Sequence, residues 1–363
     1  MTDRERVCFT SALYLGLDHA SRCLPEWDRL TLGKPAVLEA PPGARAVEIA
    51  LAELIGTEKA LLASSTLHLF WDLFDVLAKS GVNIFLDAGA YPVIRWGVER
   101  AACTGTRVKS FRQYDLEALR RAIESGDAKP PVIVADGYCP RSGHLAPITE
   151  YVALAEARGG FVVLDDSQAL GIFGKPSPWA LYGMGGGGSM THAGLISDRL
   201  VIGASLAKAF GVPVAVLAAS TVVLGRYERQ SATRVHCSPP SSAAIAAAAR
   251  AVAINRSHGD GLRSRLAQVV TRFRRGLGRM GLVATPGLFP VQPLRLPRHI
   301  DARMLHEELE RRGFETVLQR DRDGSAGISF VLTARHRIDE IDRALAHLAE
   351  AFARQAGMKL KRS

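Results

Sequence analysis

The chain has 363 residues, 47% hydrophobic and 23% charged, with a formal net charge of +10. That balance excludes a disordered protein, and the length exceeds one ordinary core, which predicts two domains. No apolar core follows the charged opening Met1-Thr2-Asp3-Arg4-Glu5-Arg6, which argues against a signal peptide, and the uncharged run Ala209 to Gly225 is short for a membrane span.

In chain order, Ala46 to Ile55 carries apolar residues at helical spacing and stops at Gly56. Ala60 to Ala63 reads as a short strand, Ser64-Ser65-Thr66 as a hydroxyl-rich turn, and Leu67 onward as a helix ending near Gly81. Strand and helix then alternate: Asn83 to Asp87, Val93 to Ala102, Arg107 to Phe111, Asp115 to Ser125, Pro131 to Asp136, Ile148 to Ala157 and Phe161 to Asp165. This order indicates a mainly parallel sheet with helices on both faces. Arg199 to Ala204 is another buried strand, and the uncharged run after it suits buried strands joined by a turn. Past Pro239-Pro240, Ser242 to Ile254 is a helix leading into a long connection through Leu262 to Leu277. The last third changes character, with strands at Val291 to Leu296 and Gly327 to Leu332 and helices at Asp301 to Arg312 and Ile338 to Ala353.

Charge at three of the strand ends is informative. Asp136 and Asp165 each close an apolar strand, and Lys208 follows one in Ser205-Leu206-Ala207-Lys208-Ala209-Phe210-Gly211. Open α/β sheets bind ligands outside the carboxyl ends of their strands, so these groups converge on one edge. Asp166 should face elsewhere, because strand side chains alternate. A lysine among small apolar residues is poorly solvated, which lowers its pKa and makes it a nucleophile toward carbonyls; the other reading is a stem that snorkels to water. Asp165 alone would read equally as a cap or turn residue. Together, a Schiff-base lysine and an aspartate for a pyridinium nitrogen are what a protein contributes to pyridoxal 5'-phosphate (PLP) chemistry. Ser64, Ser65 and Thr66 at a helix start would receive the phosphate, with Ser205 as another hydroxyl; plain capping is the alternative for each.

Asp136-Gly137 with Gly143-His144-Leu145-Ala146-Pro147-Ile148, then Leu164 to Gly174, then Ser205 to Gly211, resemble the motifs of the α-oxoamine synthases. Tyr14-Leu15-Gly16-Leu17 and Leu332-Thr333-Ala334-Arg335-His336 are similar to that family's terminal motifs, so the resemblance spans nearly the whole chain. It implies an α/β, three-layer PLP-dependent transferase fold of the aspartate-aminotransferase type. The mainly parallel sheet would lie in a large PLP-binding domain, 35–256, followed by a smaller C-terminal α/β domain, 257–363. Residues 1–34 would pack on the small domain or on a dimer partner. By the resemblance Lys208 and Asp165 are catalytic, and Thr66, Leu67 and Ser205 sit at the phosphate, with Ser65 and Asp136 also in the cofactor set. His236, in Val235-His236-Cys237-Ser238, matches a phosphate contact made across a homodimer. The implied reaction is decarboxylative condensation of an amino acid with an acyl thioester carried by coenzyme A or an acyl carrier protein. An aminotransferase on the same fold and a non-catalytic relative with a binding role remain as alternatives.

The departures from the family are specific. Tyr91 stands where the family stacks a histidine on the cofactor ring, and Gln168 where a histidine approaches the phenolic oxygen. Pro140 replaces a serine, and the strand Gly327 to Leu332 lacks the family's carboxylate-binding arginine, with Arg335 and Arg337 nearby only in sequence. PLP binding is therefore expected to be retained while substrate handling has diverged. Gly183 to Ser189 reads as a flexible loop near the mouth of the site, either a substrate lid or a passive linker. The five cysteines, Cys8, Cys23, Cys103, Cys139 and Cys237, are scattered and form no CxxC pair, which argues against a disulfide framework or a zinc site and fits a reducing cytoplasm. Basic clusters at Arg272, Arg274, Arg275 and Arg279, at Arg311, Arg312, Arg320 and Arg322, and in Lys359-Leu360-Lys361-Arg362-Ser363 read as solvated helix faces or as attraction to an anionic partner. No recognised nucleic-acid motif or interleaved aromatics accompany them.

Overall fold

The structure, a computed structural model, describes residues 6–284, 287–320 and 326–357. They divide into two compact units. The larger consists of Leu17–Cys139 and Leu145–Asp260; the smaller consists of Met1–Gly16, Pro140–His144 and Gly261–Ser363.

The larger unit alternates as its sequence pattern requires. It runs α1 (Ala44–Ile55), β1 (Lys59–Ala63), α2 (Thr66–Ala78), β2 (Asn83–Asp87), α3 (Pro92–Cys103), β3 (Val108–Phe111), α4 (Leu116–Glu124), β4 (Pro131–Asp136), α5 (Ile148–Glu156), β5 (Phe161–Asp165), β6 (Leu200–Ser205), β7 (Ala215–Ala219), α6 (Thr221–Gln230) and α7 (Ala232–His236). The seven strands form one sheet in the order β1-β7-β6-β5-β4-β2-β3. Strands β2 to β6 pair in parallel, whereas β7 is antiparallel to both β6 and β1. Two antiparallel pairings in succession restore direction, so β1 again points the way β6 does. The carboxyl ends of β1, β2, β4, β5 and β6 thus share one edge.

Burial on both faces explains the continuous apolar runs of these strands. Leu69, Phe70, Leu73 and Phe74 of α2 and Ile94 and Val98 of α3 pack in one cluster with Leu86, Val134, Val163, Val201 and Leu217 of the sheet. The two helices approach closely at Gly97, where a Cβ would lie 2.7 Å from the Phe70 carbonyl oxygen and from the Phe74 ring. This contact aligns the N-termini of α2 and α3.

Three expectations need correction. The uncharged run after Lys208 contains one strand, β7, and then α6, because the Ser220 hydroxyl caps that helix by accepting from the Val223 amide. The helix from Ser242 does not give way to a connection but continues unbroken as α8 (Ser242–Arg279), passing through Gly259 and Gly261. Each helical glycine costs about 1 kcal/mol relative to alanine, a penalty that apolar burial along the rest of the helix outweighs. Gly183 to Ser189 is a packed turn rather than a flexible loop. It leaves a hairpin of Lys175–Ser177 and Ala180–Met184. Four of its glycines take positive φ, and its amides and carbonyls are held by Asp260, Asn255 and Asp166.

The smaller unit has a four-stranded antiparallel sheet, ordered Val283–Ala284, β8 (Val291–Arg295), β10 (Ala326–Val331), β9 (Val317–Arg320), with α9 (Ala302–Arg311) and α10 (Ile338–Gln355). Ile341, Ala344, Leu345, Leu348 and Ala351 form the buried stripe of α10. Val7–Cys8 pairs in parallel with Phe314–Glu315. The first basic cluster lies on α8, where Arg272 makes a two-pronged contact with Asp342, both bonds 2.7 Å; of the second, Arg311 and Arg312 at the end of α9 pair with Glu308, whereas Arg320 lies on the strand β9 and not on a helix. Arg322 and Lys359 to Ser363 lie outside the described residues. Among the described residues, no helix is long and apolar enough to cross a membrane.

Candidate active site

Strand register brings the two aspartates together. Asp136, the last residue of β4, is paired directly with Asp165, the last of β5, and Asp165 is paired on its other side with Gly203 of β6. Asp165 is buried. Its Oδ1 accepts from the Ser167 amide at 3.0 Å, and the Ser167 hydroxyl accepts from the Ser205 amide at 2.8 Å. Ser167 thereby ties the aspartate to the chain that leads to the lysine. Asp166 turns away, as alternation requires, and accepts from the Ser189 amide. Burial pushes the Asp166 carboxyl up to about 6.

Lys208 sits in a tight connection between β6 and β7. The Leu206 amide donates to the Val214 carbonyl, the Val212 amide to the Leu206 carbonyl, and the Gly211 amide to the Lys208 carbonyl. His19 Nε2 contacts the Phe210 carbonyl at 2.8 Å from outside the connection. Loss of solvation lowers the Lys208 amine below the ordinary lysine range, opposed by the charges of Asp165 and Asp136. The Asp136 carboxyl moves the other way, pushed up to about 8 by burial and by its neighbour Asp165, with Lys208 and the Tyr91 amide holding it back. An amine whose proton affinity is lowered and a carboxyl whose proton affinity is raised therefore share one edge.

Tyr91 closes this group. It precedes Pro92 at the start of α3, its amide donates to Asp136 Oδ1 at 2.9 Å, and Lys208 Nζ lies 5.6 Å from its ring centroid. The ring is half-exposed, at 52%, so it offers an open face beside the amine. At the neighbouring end of β1, Ser65 caps α2: its hydroxyl accepts from the His68 amide and contacts His68 Nδ1 at 2.8 Å. The first intrahelical bond runs from the Leu69 amide to the Ser65 carbonyl, which leaves the Thr66 and Leu67 amides at the dipole's positive end. The Ser205 hydroxyl accepts from the Ala207 amide. Gln168 is half-buried in the turn after β5.

His236 stands apart. It is exposed at the end of α7, which the buried Asp72 fixes to α2 by accepting from the Ser231 and Thr233 hydroxyls and from the Thr233 amide. Two residues on, the Ser238 carbonyl accepts from the Ser64 hydroxyl. The structure thus groups Lys208, Asp165, Asp136, Tyr91 and Ser205, with Ser65, Thr66 and Leu67 at the same sheet edge, and leaves His236 exposed. Sequence reasoning missed Ser167, His19, Asp87 and Tyr114. Ser167, a hydroxyl two residues past an aspartate, and Asp87, an aspartate that closes an apolar strand as Asp136 and Asp165 do, had legible signals. In the smaller unit, Ser329 on β10 is the residue at the arginine-free strand; its hydroxyl is buried and unpartnered among the described residues.

These residues fit PLP. An amine with reduced proton affinity suits a carbonyl partner, a buried aspartate suits a ring nitrogen, and a helix start suits a phosphate. Among the described residues no cluster of His, Cys, Asp or Glu is arranged to hold a metal.

The family profile of aminotransferase class I and II matches residues 29–317. The 8-amino-7-oxononanoate synthase of Halorhodospira halophila is 31% identical over 322 residues, covering 87% of this chain and 76% of that protein. The enzyme of the same name from Alkalilimnicola ehrlichii is 29% identical over 315 residues, covering 86% and 77%. Among solved structures, the serine palmitoyltransferase of Sphingomonas wittichii superposes with a TM-score of 0.85 over 99% of this chain and 90% of its own, at 20% identity, a likeness of fold. The chain therefore belongs to the aminotransferase class I and II family of PLP-dependent enzymes, within its α-oxoamine synthase group of acyltransferases.

Proposed function

We propose that this chain condenses an amino acid with an acyl thioester, releasing carbon dioxide and a free thiol and leaving an α-amino ketone. The observation that carries the reading is the grouping of a desolvated lysine with two carboxylates at neighbouring strand ends. Bound PLP supplies an electron sink for negative charge at the substrate's α carbon. Lys208 would hold the cofactor aldehyde and then, as a free amine, take the α proton. Asp165, fixed by Ser167, would keep a proton on the ring nitrogen. Tyr91 would cover one ring face, the amides of Thr66 and Leu67 with the Ser205 hydroxyl would hold the phosphate, and Asp136 and Gln168 would line the polar edge.

The pairing of Val7–Cys8 with Phe314–Glu315 supports packing of the first part of an N-terminal segment, 1–34, on a small domain, 257–363, while 35–256 carries the cofactor. A homodimer is part of this reading, with exposed His236 available to a partner's phosphate site, as is a cytoplasmic location without nucleic-acid partners. The absence of an arginine from β10 supports a substrate carboxylate bound differently from the family pattern.

Incubation with PLP should give a visible absorbance band that borohydride fixes to Lys208, and Lys208→Ala should give none. Amino acids supplied with coenzyme A and carrier-protein thioesters should then release labelled carbon dioxide and thiol. Conversion of the cofactor to pyridoxamine phosphate would assign an aminotransferase instead. Absence of α-proton exchange with every amino acid would leave only a binding role.

A further inference from the structure

We propose that Tyr114, braced by Asp87, is a positioning residue that sets the Asp136, Tyr91 and Lys208 group in place from the neighbouring turn. The inference rests on the PLP reading above. Asp87 closes β2 and is buried. Its Oδ1 accepts from the Gly89 amide at 2.6 Å and its Oδ2 from the Tyr114 amide at 2.9 Å, so one carboxyl spans the turns that follow β2 and β3. The Tyr114 hydroxyl donates to the Asp136 carbonyl at 3.1 Å. Asp136 Oδ1 in turn accepts from the Tyr91 amide at 2.9 Å. Tyr91 lies four residues past Asp87, and the bonds close a circuit through three strand ends, with the Tyr91 ring 5.6 Å from Lys208 Nζ.

Two features mark this circuit as more than ordinary turn chemistry. Tyr114 holds φ at 56°, a left-handed conformation that a bulky side chain adopts at a cost and keeps only where its surroundings over-determine it. Gly89 meets the same turn so closely that a Cβ would lie 2.4 Å from the Gln113 side chain. The two turns are therefore locked together. Burial pushes ionisation of the Tyr114 phenol far up, so it remains a donor across the working pH range.

The test uses Tyr114→Phe, which removes only the hydroxyl, and Tyr114→Asn, which suits left-handed backbone but cannot reach Asp136. The cofactor-free proteins are labelled with an amine-reactive anhydride across pH, and Lys208 is followed by peptide mass. PLP affinity is measured separately by absorbance. In Tyr114→Phe the Lys208 titration should move up by about half a pH unit toward the ordinary lysine value as water enters. PLP should bind about fivefold more weakly, the scale of one neutral hydrogen bond. Tyr114→Asn, which also loses the buried ring, should show the same two changes with a lowered thermal midpoint, whereas Tyr114→Phe should show them at a midpoint close to wild type, a divergence that a purely structural role does not produce. Variants matching wild type in both the titration and the affinity would overturn the positioning role. Wild-type protein that forms no borohydride-fixed link at Lys208 would overturn the PLP reading, which the cofactor-free titration does not need.

Discussion

At Asp136 and Lys208 the same loss of solvation drives two ionisations in opposite directions. With its carboxyl pushed up to about 8, folded Asp136 keeps a proton that the unfolded chain releases near pH 4. Its contribution to stability is therefore full below that lower value and drains away as the pH rises toward 8. Lys208, with a lowered pKa, has the opposite sign: once above that value the folded state binds fewer protons, and stability recovers as the pH climbs to the ordinary lysine range. Asp136→Asn removes the first effect and, by taking away one of the charges that oppose the shift of Lys208, deepens the second. The thermal midpoint of this variant, measured without cofactor and compared with wild type, should climb steadily from about pH 4 to about pH 8. A flat difference would mean that Asp136 holds no extra proton in the fold.

Among the elements, α2 and α3 matter most, since one starts at the Thr66 and Leu67 amides and the other at Tyr91. Their spacing is set where Gly97 meets the backbone of Phe70, an atom that no side-chain rotation can move. Gly97→Ala should therefore destabilise the protein by about 1–3 kcal/mol, the usual cost of overpacking a filled interior. Equilibrium unfolding in denaturant should show a lower midpoint at unchanged slope, and PLP affinity should drop with it because both helix starts shift. Unchanged stability would show that the helices can part freely. The glycine-rich turn after β5 makes the converse point: its glycines serve positive φ and close packing, so their number did not signal motion.

For the whole molecule, the proposed dimer is open to direct measurement. Leu67 and Trp71 on α2 and Tyr91 and Trp96 on α3 are each more than two-fifths exposed, an apolar set at the helix starts that border the candidate site. Exposed apolar side chains mark association where they join into one surface, and these four are the ones a partner copy would cover. Sedimentation velocity at micromolar concentration should give twice the chain mass, and Trp96→Glu should shift the protein toward monomer with weaker PLP binding. A wild-type protein that sediments as a monomer while binding PLP fully would remove the partner from the account.

The alternation of apolar strands with amphipathic helices, and the charged residues closing three strands, are local patterns, and from them the sheet, Lys208, Asp165 and Asp136 were readable. Continuation of α8 through Gly259 and Gly261 was not, because glycine's helix penalty is local while the burial that outweighs it is tertiary. Tyr114 offers no sequence signal at all: its left-handed backbone and its reach to Asp136 exist only once β2, β3 and β4 lie side by side. Sequence determined which side chains could do chemistry at this edge. Strand register alone decided that Asp136 would face Asp165, because that pairing depends on hydrogen bonds between segments far apart in the chain.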